Sequence, residues 1–142
     1  MFRFAYPARF EPDETDGGFV VTFRDLPEAI TQGDSVEECL REAEDCLEEA
    51  IAARICDNED IPRPSAARRG ERLITVPLQT ALKAALYVAV RKNHISKAEL
   101  ARRLGTDEKV ARRLLDPHYR SRLDALERAF GAVGARPELA LQ

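Results

Sequence analysis

The pattern of hydrophobic and polar positions changes its period along the chain. In the first part, apolar residues alternate with polar ones over short stretches, which is the period of a β-strand. Gly17 and Gly18 lie in an acidic, turn-rich connection between the first two stretches and predict a hairpin. Four strands are predicted in this way, at residues 1–10, 19–24, 29–32 and 72–76.

Between the third and fourth predicted strands the apolar spacing becomes helical. Ser35 followed by Glu38 has the spacing of a capping box, which predicts a helix start. Apolar residues then recur at steps of three and four, so that they form one stripe: Val36, Leu40, Ala43, Leu47, Ala50 and Ile51. One long helix packed on a small, mainly antiparallel sheet is therefore predicted, which is an α+β arrangement.

A purely helical pattern begins at Pro77. An amphipathic helix is predicted up to about Lys92, with Leu78 among its buried residues. Ser96 and Asp107 are predicted to cap two short helices that are joined by a turn at Gly105, which is a helix-turn-helix. A further helix is predicted over residues 120–133, and Leu123 is expected in its buried face. We therefore expect two domains, residues 1–76 and residues 77–142.

The charge of the chain is unevenly distributed. Residues 1–76 contain 18 acidic and 9 basic residues, a net charge of −9, whereas residues 77–142 contain 7 acidic and 13 basic residues, a net charge of +6. Seven of the 18 acidic residues of the first half lie on the polar face of the long predicted helix: Glu37, Glu38, Glu42, Glu44, Asp45, Glu48 and Glu49. This asymmetry predicts different partners for the two halves.

The cysteines and the hydropathy pattern predict the cellular setting. Cys39, Cys46 and Cys56 are too few and too close together for a disulfide framework. The sequence shows no secretory signal and no apolar run of about 18 residues. We expect a reduced, cytoplasmic protein that does not bind a membrane. Cys39 and Cys46 lie two helical turns apart, but nothing supplies further ligands, so that neither a metal nor another cofactor is expected.

Residues 94–134 resemble the helix-turn-helix domains of the Cro and phage-repressor class. In that class the second helix of the pair enters the major groove of DNA, and the first crosses the phosphate backbone. Gly105 corresponds to the turn glycine of the motif. The resemblance therefore implies base contacts by Glu108, Lys109 and Arg112 and phosphate contacts by Lys97, Arg113, Arg120 and Arg122.

The first half resembles the HicB antitoxin family, on the segments YPARFEPD at residues 6–13 and GGFVVTFRDLPEAITQGDS at residues 17–35 and on the acidic helix that follows. The resemblance implies a partial ribonuclease-H-like fold that binds a protein. It also implies a partner, the small basic mRNA-cleaving toxin HicA, and repression of the operon's own promoter by the complex. Toxin contacts are expected at the strand edge and the acidic helix, through Phe19, Asp25, Glu37, Glu44 and Glu48.

Catalysis is not expected from these residues. Ribonuclease-H chemistry needs several carboxylates that converge on two metal ions. The carboxylates of residues 13–16 lie in a turn, Asp25 stands alone at a strand end, and the helix spreads its acidic residues along one face. No nucleophile or carboxylate pattern connects His94 or His118 to a catalytic triad. We therefore predict a protein that is not an enzyme.

The favoured hypothesis is a cytoplasmic antitoxin that binds its toxin through the acidic half and operator DNA through the basic half. We expect a homodimer on a palindromic operator, and a tetramer remains open. The alternative is a stand-alone helix-turn-helix regulator whose first domain senses a small ligand or only dimerises. An antitoxin whose toxin has been lost is a third possibility.

Overall fold

A computed structural model describes residues 2–142, and the chain forms two compact units. The first unit comprises the chain up to Arg54 together with Ile61–Pro77, and the second comprises Ile55–Asp60 together with Leu78–Gln142. The fold is α+β, as the sequence predicted: a four-stranded antiparallel sheet with one long helix is followed by several helices. Within residues 2–142, no helix is long and apolar enough to cross a membrane.

The sheet of the first unit is built from strands β1 (Ala5–Pro12), β2 (Phe19–Phe23), β3 (Ile30–Gly33) and β4 (Glu71–Thr75). Their spatial order is β3-β2-β1-β4, and every neighbouring pair is antiparallel. Strand β1 is central, since Ala8 pairs with Phe23 of β2 on one side and with Arg72 of β4 on the other. The strands β3 and β4 therefore form the two edges.

The predicted hairpin joins β1 to β2. Gly17 and Gly18 have φ angles of 74° and 70°, in the left-handed region that favours glycine. The carbonyl oxygen of Gly18 accepts a hydrogen bond from the N–H of Asp13 at 2.9 Å. A Cβ atom on Gly18 would collide with the carbonyl oxygen of Gly33 in β3, so that this position also needs glycine for space.

The long helix, α1, spans Val36–Cys56. Its start is capped as predicted, since the hydroxyl of Ser35 accepts a hydrogen bond from the N–H of Glu38 at 3.1 Å. The carboxylate of Glu38 reaches back to the N–H of Asp34 at 3.0 Å, one residue before the cap residue. Fully buried residues of the helix and of the sheet form the core of the unit: Cys39, Ala43, Leu47, Ile51, Tyr6, Ala8, Val21 and Phe23.

The first predicted strand begins too early. Met1 lies outside the described residues, and Phe2 and Phe4 precede β1, with their rings stacked at a centroid distance of 4.7 Å. The pairing of β1 with β4 begins at Ala5, which lies opposite Thr75. On the N-terminal side of Ala5, the carbonyl of Phe4 accepts a hydrogen bond from the N–H of Val76. Alternation alone did not show where the partner strand ends.

The second unit contains α2 (Leu78–Lys92), α3 (Lys97–Leu104), α4 (Glu108–Leu115) and α5 (Leu123–Val133). Its core consists of apolar residues from all four helices: Leu86, Val90, Leu100, Ala101, Ala111, Leu114, Leu126 and Phe130. The segment Ile55–Asp60 is fastened to α2, since the Tyr87 hydroxyl donates to the carbonyl of Glu59 at 2.7 Å. Arg91 also pairs with Asp60 at 2.8 Å.

Two predictions about the second unit are wrong. Leu78 and Leu123, which were expected in buried faces, are 63% and 60% exposed. Each is the first residue of its helix, and no earlier turn lies beneath its side chain.

Helix α5 also begins at residue 123 rather than at residue 120. Residues before it are held outside the helix because the Ser121 N–H donates to the side chain of Gln79 at 2.9 Å.

Candidate functional site

Helices α3 and α4 are joined by a turn of three residues, Gly105–Asp107. The turn is entered through a left-handed Gly105, with a φ of 67°, whose N–H donates to the carbonyl of Arg102 at 3.1 Å. The N–H of Thr106 donates to the carbonyl of Ala101 at 3.0 Å, and the two bonds together form a Schellman helix end. Gly105 therefore determines the direction in which the chain leaves α3.

Side-chain caps define the starts of both helices. The hydroxyl of Ser96 accepts from the N–H of Glu99 at 3.0 Å, and the carboxylate of Asp107 accepts from the N–H of Val110 at 3.0 Å. Both caps were predicted from the sequence. The small residues Ala101 and Ala111 are buried in the shared core of the two helices. The pair is thereby fixed at its turn, at its caps and by its packing.

The outward face of α4 carries the residues that were predicted to contact bases. Ala111, Leu114 and Leu115 point into the core. Glu108, Lys109 and Arg112 are exposed, and their spacing places them within about 100° of one another on the helix. Glu108 and Arg112 form an ion pair at 3.6 Å, which both groups would have to leave in order to contact DNA.

The residues that were predicted to contact phosphates are also exposed. Lys97 is the first residue of α3, and Arg122 is the residue that immediately precedes α5. Arg113 lies over the ring of Tyr119, 5.2 Å from its centroid, and Arg122 pairs with Asp124 at 3.1 Å. Within residues 2–142, no ion pair is made by the remaining cations of the predicted set: Lys97, Lys109 and Arg120.

A buried lysine in this unit was missed in the sequence. Lys83 of α2 is 0% exposed, and its Nζ donates to the carbonyl of Arg113 at 2.7 Å and to the hydroxyl of Ser121 at 2.6 Å. Burial lowers the pKa of Lys83 to about 8, and the carboxylate of Asp116 opposes this shift. In the sequence, the one sign of a buried lysine is that Lys83 is a single cation within an otherwise apolar stretch of α2.

The acidic residues that were predicted to contact the toxin lie on α1. Glu37 and Glu44 are exposed and Glu48 is half-buried. Separations of 7 and 11 residues place them on one stripe of the helix. Glu37 pairs with Arg41 at 3.5 Å, in an exposed position where such a pair contributes little to stability. Phe19, at the start of β2, is half-buried.

Asp25 is not isolated at the strand end. Its side chain is 11% exposed, and its two oxygens accept from the N–H and the hydroxyl of Ser65 at 2.8 Å and 2.7 Å. The Tyr6 hydroxyl donates to the carbonyl of Pro62 at 2.6 Å, and burial raises the pKa of Tyr6. These bonds fasten the loop after Ile61 to the sheet. The sequence gives no sign of these bonds, because the partners of Asp25 and Tyr6 lie 40 and 56 residues away.

The cysteines and histidines form no recognisable centre. Among the residues that the structure describes, the three cysteines form no disulfide, and burial raises the pKa of Cys39. The Nδ1 atom of His118 lies 3.9 Å from the Cys56 sulfur and 4.0 Å from the Asp116 carboxylate, an arrangement that the sequence did not indicate. The contact between Cys56 and His118 is a long sulfur hydrogen bond at an exposed position. Within residues 2–142, no group of three or more His, Cys, Asp or Glu residues could hold a metal ion.

Comparison with known proteins agrees with this architecture. Residues 5–85 match the family described as HicB_like antitoxin of bacterial toxin-antitoxin system. The chain is 38% identical to Antitoxin HicB of Escherichia coli (strain K12) over 136 residues, which cover 96% of this chain and 98% of the relative. It is 39% identical to Antitoxin HicB 2 of Photorhabdus laumondii over 134 residues, which cover 94% of each chain.

A third relative, Antitoxin HicB of Pseudomonas fluorescens, is 32% identical over 143 residues, which cover all of this chain and 95% of the relative. The fold and these matches define the protein as an antitoxin of a bacterial toxin-antitoxin system. Within that class, the chain belongs to the HicB-like antitoxin family, which confirms the resemblance noted in its sequence.

Proposed function

We propose that this chain neutralises a HicA-like mRNA-cleaving toxin by direct binding and represses its own operon by binding operator DNA in the cytoplasm. In this proposal the first unit contacts the toxin and the second contacts DNA. Membership of the HicB-like antitoxin family supports the role toward a toxin. The single observation that supports the DNA-binding role is the outward face of α4, where Glu108, Lys109 and Arg112 are exposed opposite a packed core.

Charge supports the division of labour between the units. A basic RNA-cleaving partner is attracted to a region with a net charge of −9, mainly through faster and better oriented association. The exposed carboxylates of Glu37 and Glu44 provide a contact surface on α1. The net charge of +6 in residues 77–142 favours DNA, because neutralised phosphates release counterions.

The proposal also includes a homodimer on DNA. A two-fold axis would present two copies of α4 to half-sites that lie about 34 Å apart, one turn of B-form DNA. Arginine and lysine read guanine in the major groove, and glutamate accepts from cytosine. Lys109 and Arg112 are therefore the side chains on which recognition of the operator depends most.

Replacement of Lys109 and Arg112 by Ala tests the DNA-binding role. The double variant should lose at least about 10-fold in affinity for a duplex taken from upstream of the gene, because each good base contact contributes about 1–3 kcal/mol. Fluorescence anisotropy at fixed salt measures this loss. The matched control is the double variant Lys92→Ala, Arg128→Ala, which removes two exposed charges of the same unit outside the predicted contact set.

Equal losses in the two double variants would show that α4 contributes only charge. Retained affinity in the Lys109→Ala, Arg112→Ala variant would overturn the placement of α4 in the groove. Toxin capture by that variant should stay at the wild-type level. Loss of both activities together would contradict the division of labour between the units.

Co-purification from the native host tests the toxin-binding role. A stoichiometric small basic protein should accompany the tagged full chain. Its capture should weaken in the variant Glu37→Lys, Glu44→Lys and persist in Glu127→Lys, Glu138→Lys, which reverses two exposed charges of the second unit. Absence of such a partner, with operator binding retained, would favour the alternative of a stand-alone helix-turn-helix regulator.

A further inference from the structure

We infer that Lys83 is a positioning residue for DNA binding: from inside the second unit it fixes the segment that carries Arg120 and Arg122 against the end of α4. This inference rests on the proposed DNA-binding function. It adds to that function a residue that no DNA molecule can touch, because Lys83 is 0% exposed.

The ammonium group of Lys83 connects two parts of the proposed DNA-binding face. One hydrogen bond goes to the carbonyl of Arg113, in the last turn of α4, at 2.7 Å. The other goes to the hydroxyl of Ser121, in the segment between α4 and α5, at 2.6 Å. The ring of Tyr119 lies 5.8 Å from Nζ, close enough for a cation–π contact. The buried ammonium thus donates hydrogen bonds both to helix α4 and to the segment that follows it.

A second residue of α2 holds the same segment. The side-chain oxygen of Gln79 accepts from the N–H of Ser121 at 2.9 Å. Gln79 and Lys83 are four residues apart, so they lie on the same face of α2, one turn apart. Ser121 is therefore held through its backbone by Gln79 and through its side chain by Lys83.

The start of the segment is also shaped by local hydrogen bonds. The carboxylate of Asp116 accepts from the N–H of His118 at 2.9 Å, and the carbonyl of Asp116 accepts from the N–H of Tyr119 at 3.2 Å. The segment therefore begins with a turn at Asp116, and toward its other end it is held in place at Ser121. It has a defined path although it contains no helix or strand.

Arg120 and Arg122 flank the clamped Ser121 and are both exposed. Arg122 has an extended backbone, with φ −68° and ψ 145°. Holding Ser121 therefore restricts the backbone from which the two exposed arginine side chains project. The same ammonium also binds the carbonyl of Arg113. The backbone at the three predicted phosphate contacts, Arg113, Arg120 and Arg122, is therefore held in relation to one atom, Nζ of Lys83.

Stability alone does not explain a lysine at this position. Removing an ammonium from water is costly, and the hydrogen bonds that it makes in the folded state only offset this cost. Methionine is unbranched and similar in length to the lysine stem, so Lys83→Met keeps most of the packing and removes the charge, its two hydrogen bonds and its contact with the Tyr119 ring. This variant therefore separates a positioning role from a role in folding.

The test measures binding of the full chain to a labelled duplex of random sequence between 50 and 200 mM KCl. Such DNA reports phosphate contacts, and each contact contributes about −0.9 to the slope of log K against log salt. Lys83→Met should weaken binding about 10-fold or more at 150 mM salt and reduce the magnitude of the slope by about 1–2 for each copy bound. Ser121→Ala should change both quantities in the same direction, by less.

Lys92→Ala is the matched control, since it removes an exposed lysine from the same helix. Its slope should equal that of the wild type. Amide hydrogen exchange provides a measurement without DNA: exchange at the hydrogen-bonded amides of Tyr119 and Ser121 should accelerate in Lys83→Met and not in Lys92→Ala. The circular dichroism melt establishes that Lys83→Met is folded.

The outcomes distinguish the two proposals. A wild-type chain that fails to bind any duplex at 50 mM salt would overturn the DNA-binding function, and with it this inference. Wild-type binding with an unchanged slope and unchanged exchange in Lys83→Met would overturn only the role of Lys83. If Lys83→Met does not fold, Ser121→Ala decides: an unaltered slope in that variant overturns the inference, and a reduced slope supports it.

Discussion

The carboxylate of Asp25 binds Ser65 twice, through the N–H at 2.8 Å and through the hydroxyl at 2.7 Å. With 11% of the Asp25 side chain exposed, both bonds are largely shielded from water. Hydrogen bonds to an ionised acceptor are about twice as strong as neutral ones. The carboxylate of Asp25 therefore helps to hold the loop between α1 and β4, which contains no helix or strand, at the end of β2.

Replacement of Asp25 by Ala should lower the free energy of unfolding by about 2–4 kcal/mol, because the shielded N–H and hydroxyl of Ser65 lose their acceptor. Ser65→Ala should cost about 1–2 kcal/mol, since the backbone bond remains. Thermal unfolding of the full chain measures both. Asp45→Ala, an exposed carboxylate of α1, is the control and should change stability by less than about 0.5 kcal/mol.

The same variants show how Asp25 influences toxin binding. If Asp25 acts by shaping the loop, Ser65→Ala and Asp25→Ala should weaken toxin capture in proportion to their effect on stability. A large loss in Asp25→Ala combined with wild-type capture by Ser65→Ala would instead place the carboxylate of Asp25 in direct contact with the toxin.

His94 occupies a position at which glycine is the usual residue. Its φ is 53°, and its N–H donates to the carbonyl of Arg91 at 3.2 Å while the Ile95 N–H donates to the carbonyl of Val90 at 2.9 Å. These bonds form a Schellman end of α2 with a histidine in the left-handed conformation. His94→Gly should therefore stabilise the second unit by about 0.5–1 kcal/mol.

A rise in Tm of a few degrees for His94→Gly, measured by calorimetry, is the expected result. Asn93→Gly is the matched control, because Asn93 does not have a positive φ and its side chain donates to the carbonyl of Ala89 at 3.0 Å. That control should lower Tm. A lower Tm for His94→Gly would show that the imidazole makes a contribution larger than the backbone strain.

Two glycines of the second unit should respond to alanine with opposite signs. A Cβ atom at Gly105 or at Gly131 would meet no atom within 4 Å. The sign of the stability change therefore depends only on whether alanine tolerates the backbone conformation at that position. Gly105 has a φ of 67°, and Gly105→Ala should destabilise by about 1 kcal/mol. Gly131 lies inside α5, and Gly131→Ala should stabilise by about 1 kcal/mol. Chemical denaturation of both variants checks the two signs, and equal signs would contradict this account.

The elements of the fold were predictable because they depend on local chemistry. The capping residues Ser35, Ser96 and Asp107 mark helix starts that the structure confirms within a residue. The glycine at position 105 marks the turn between α3 and α4. Such signals act over three or four residues, which is the range over which a capping hydrogen bond forms.

The features that were missed depend on distant partners. The sequence did not single out Lys83, because its acceptors on Arg113 and Ser121 lie 30 and 38 residues away. Leu78 matched the apolar stripe but lies at the helix start, where nothing covers it. Periodicity indicates which residues share a face of a helix. It does not indicate how far the neighbouring elements extend along that face.

Because the ammonium of Lys83 is buried, we expect its contribution to make the folded state more stable as pH rises above 8. Burial lowers its pKa from 10.5 to about 8, so above pH 8 the folded chain releases a proton that the unfolded chain still holds up to about pH 10.5. Stability rises with pH wherever the unfolded state binds more protons. Below pH 8 the full cost of the charged form, about 3 kcal/mol, is present, and it is relieved as pH rises above 8.

Comparison with Lys83→Met isolates this contribution from those of all other groups. Between pH 7 and pH 9.5 the free energy of unfolding of the wild type should rise relative to that of Lys83→Met by about 1–2 kcal/mol. Urea denaturation at several pH values measures the difference. Burial raises the pKa of Tyr6 and Tyr87, so their titration lowers stability at higher pH, and it does so equally in both proteins. A difference that falls with pH would mean that the carbonyl of Arg113, the hydroxyl of Ser121 and the carboxylate of Asp116 together stabilise the ammonium by more than burial costs. The two hydrogen bonds would then contribute to folding as well as to the position of Arg120 and Arg122.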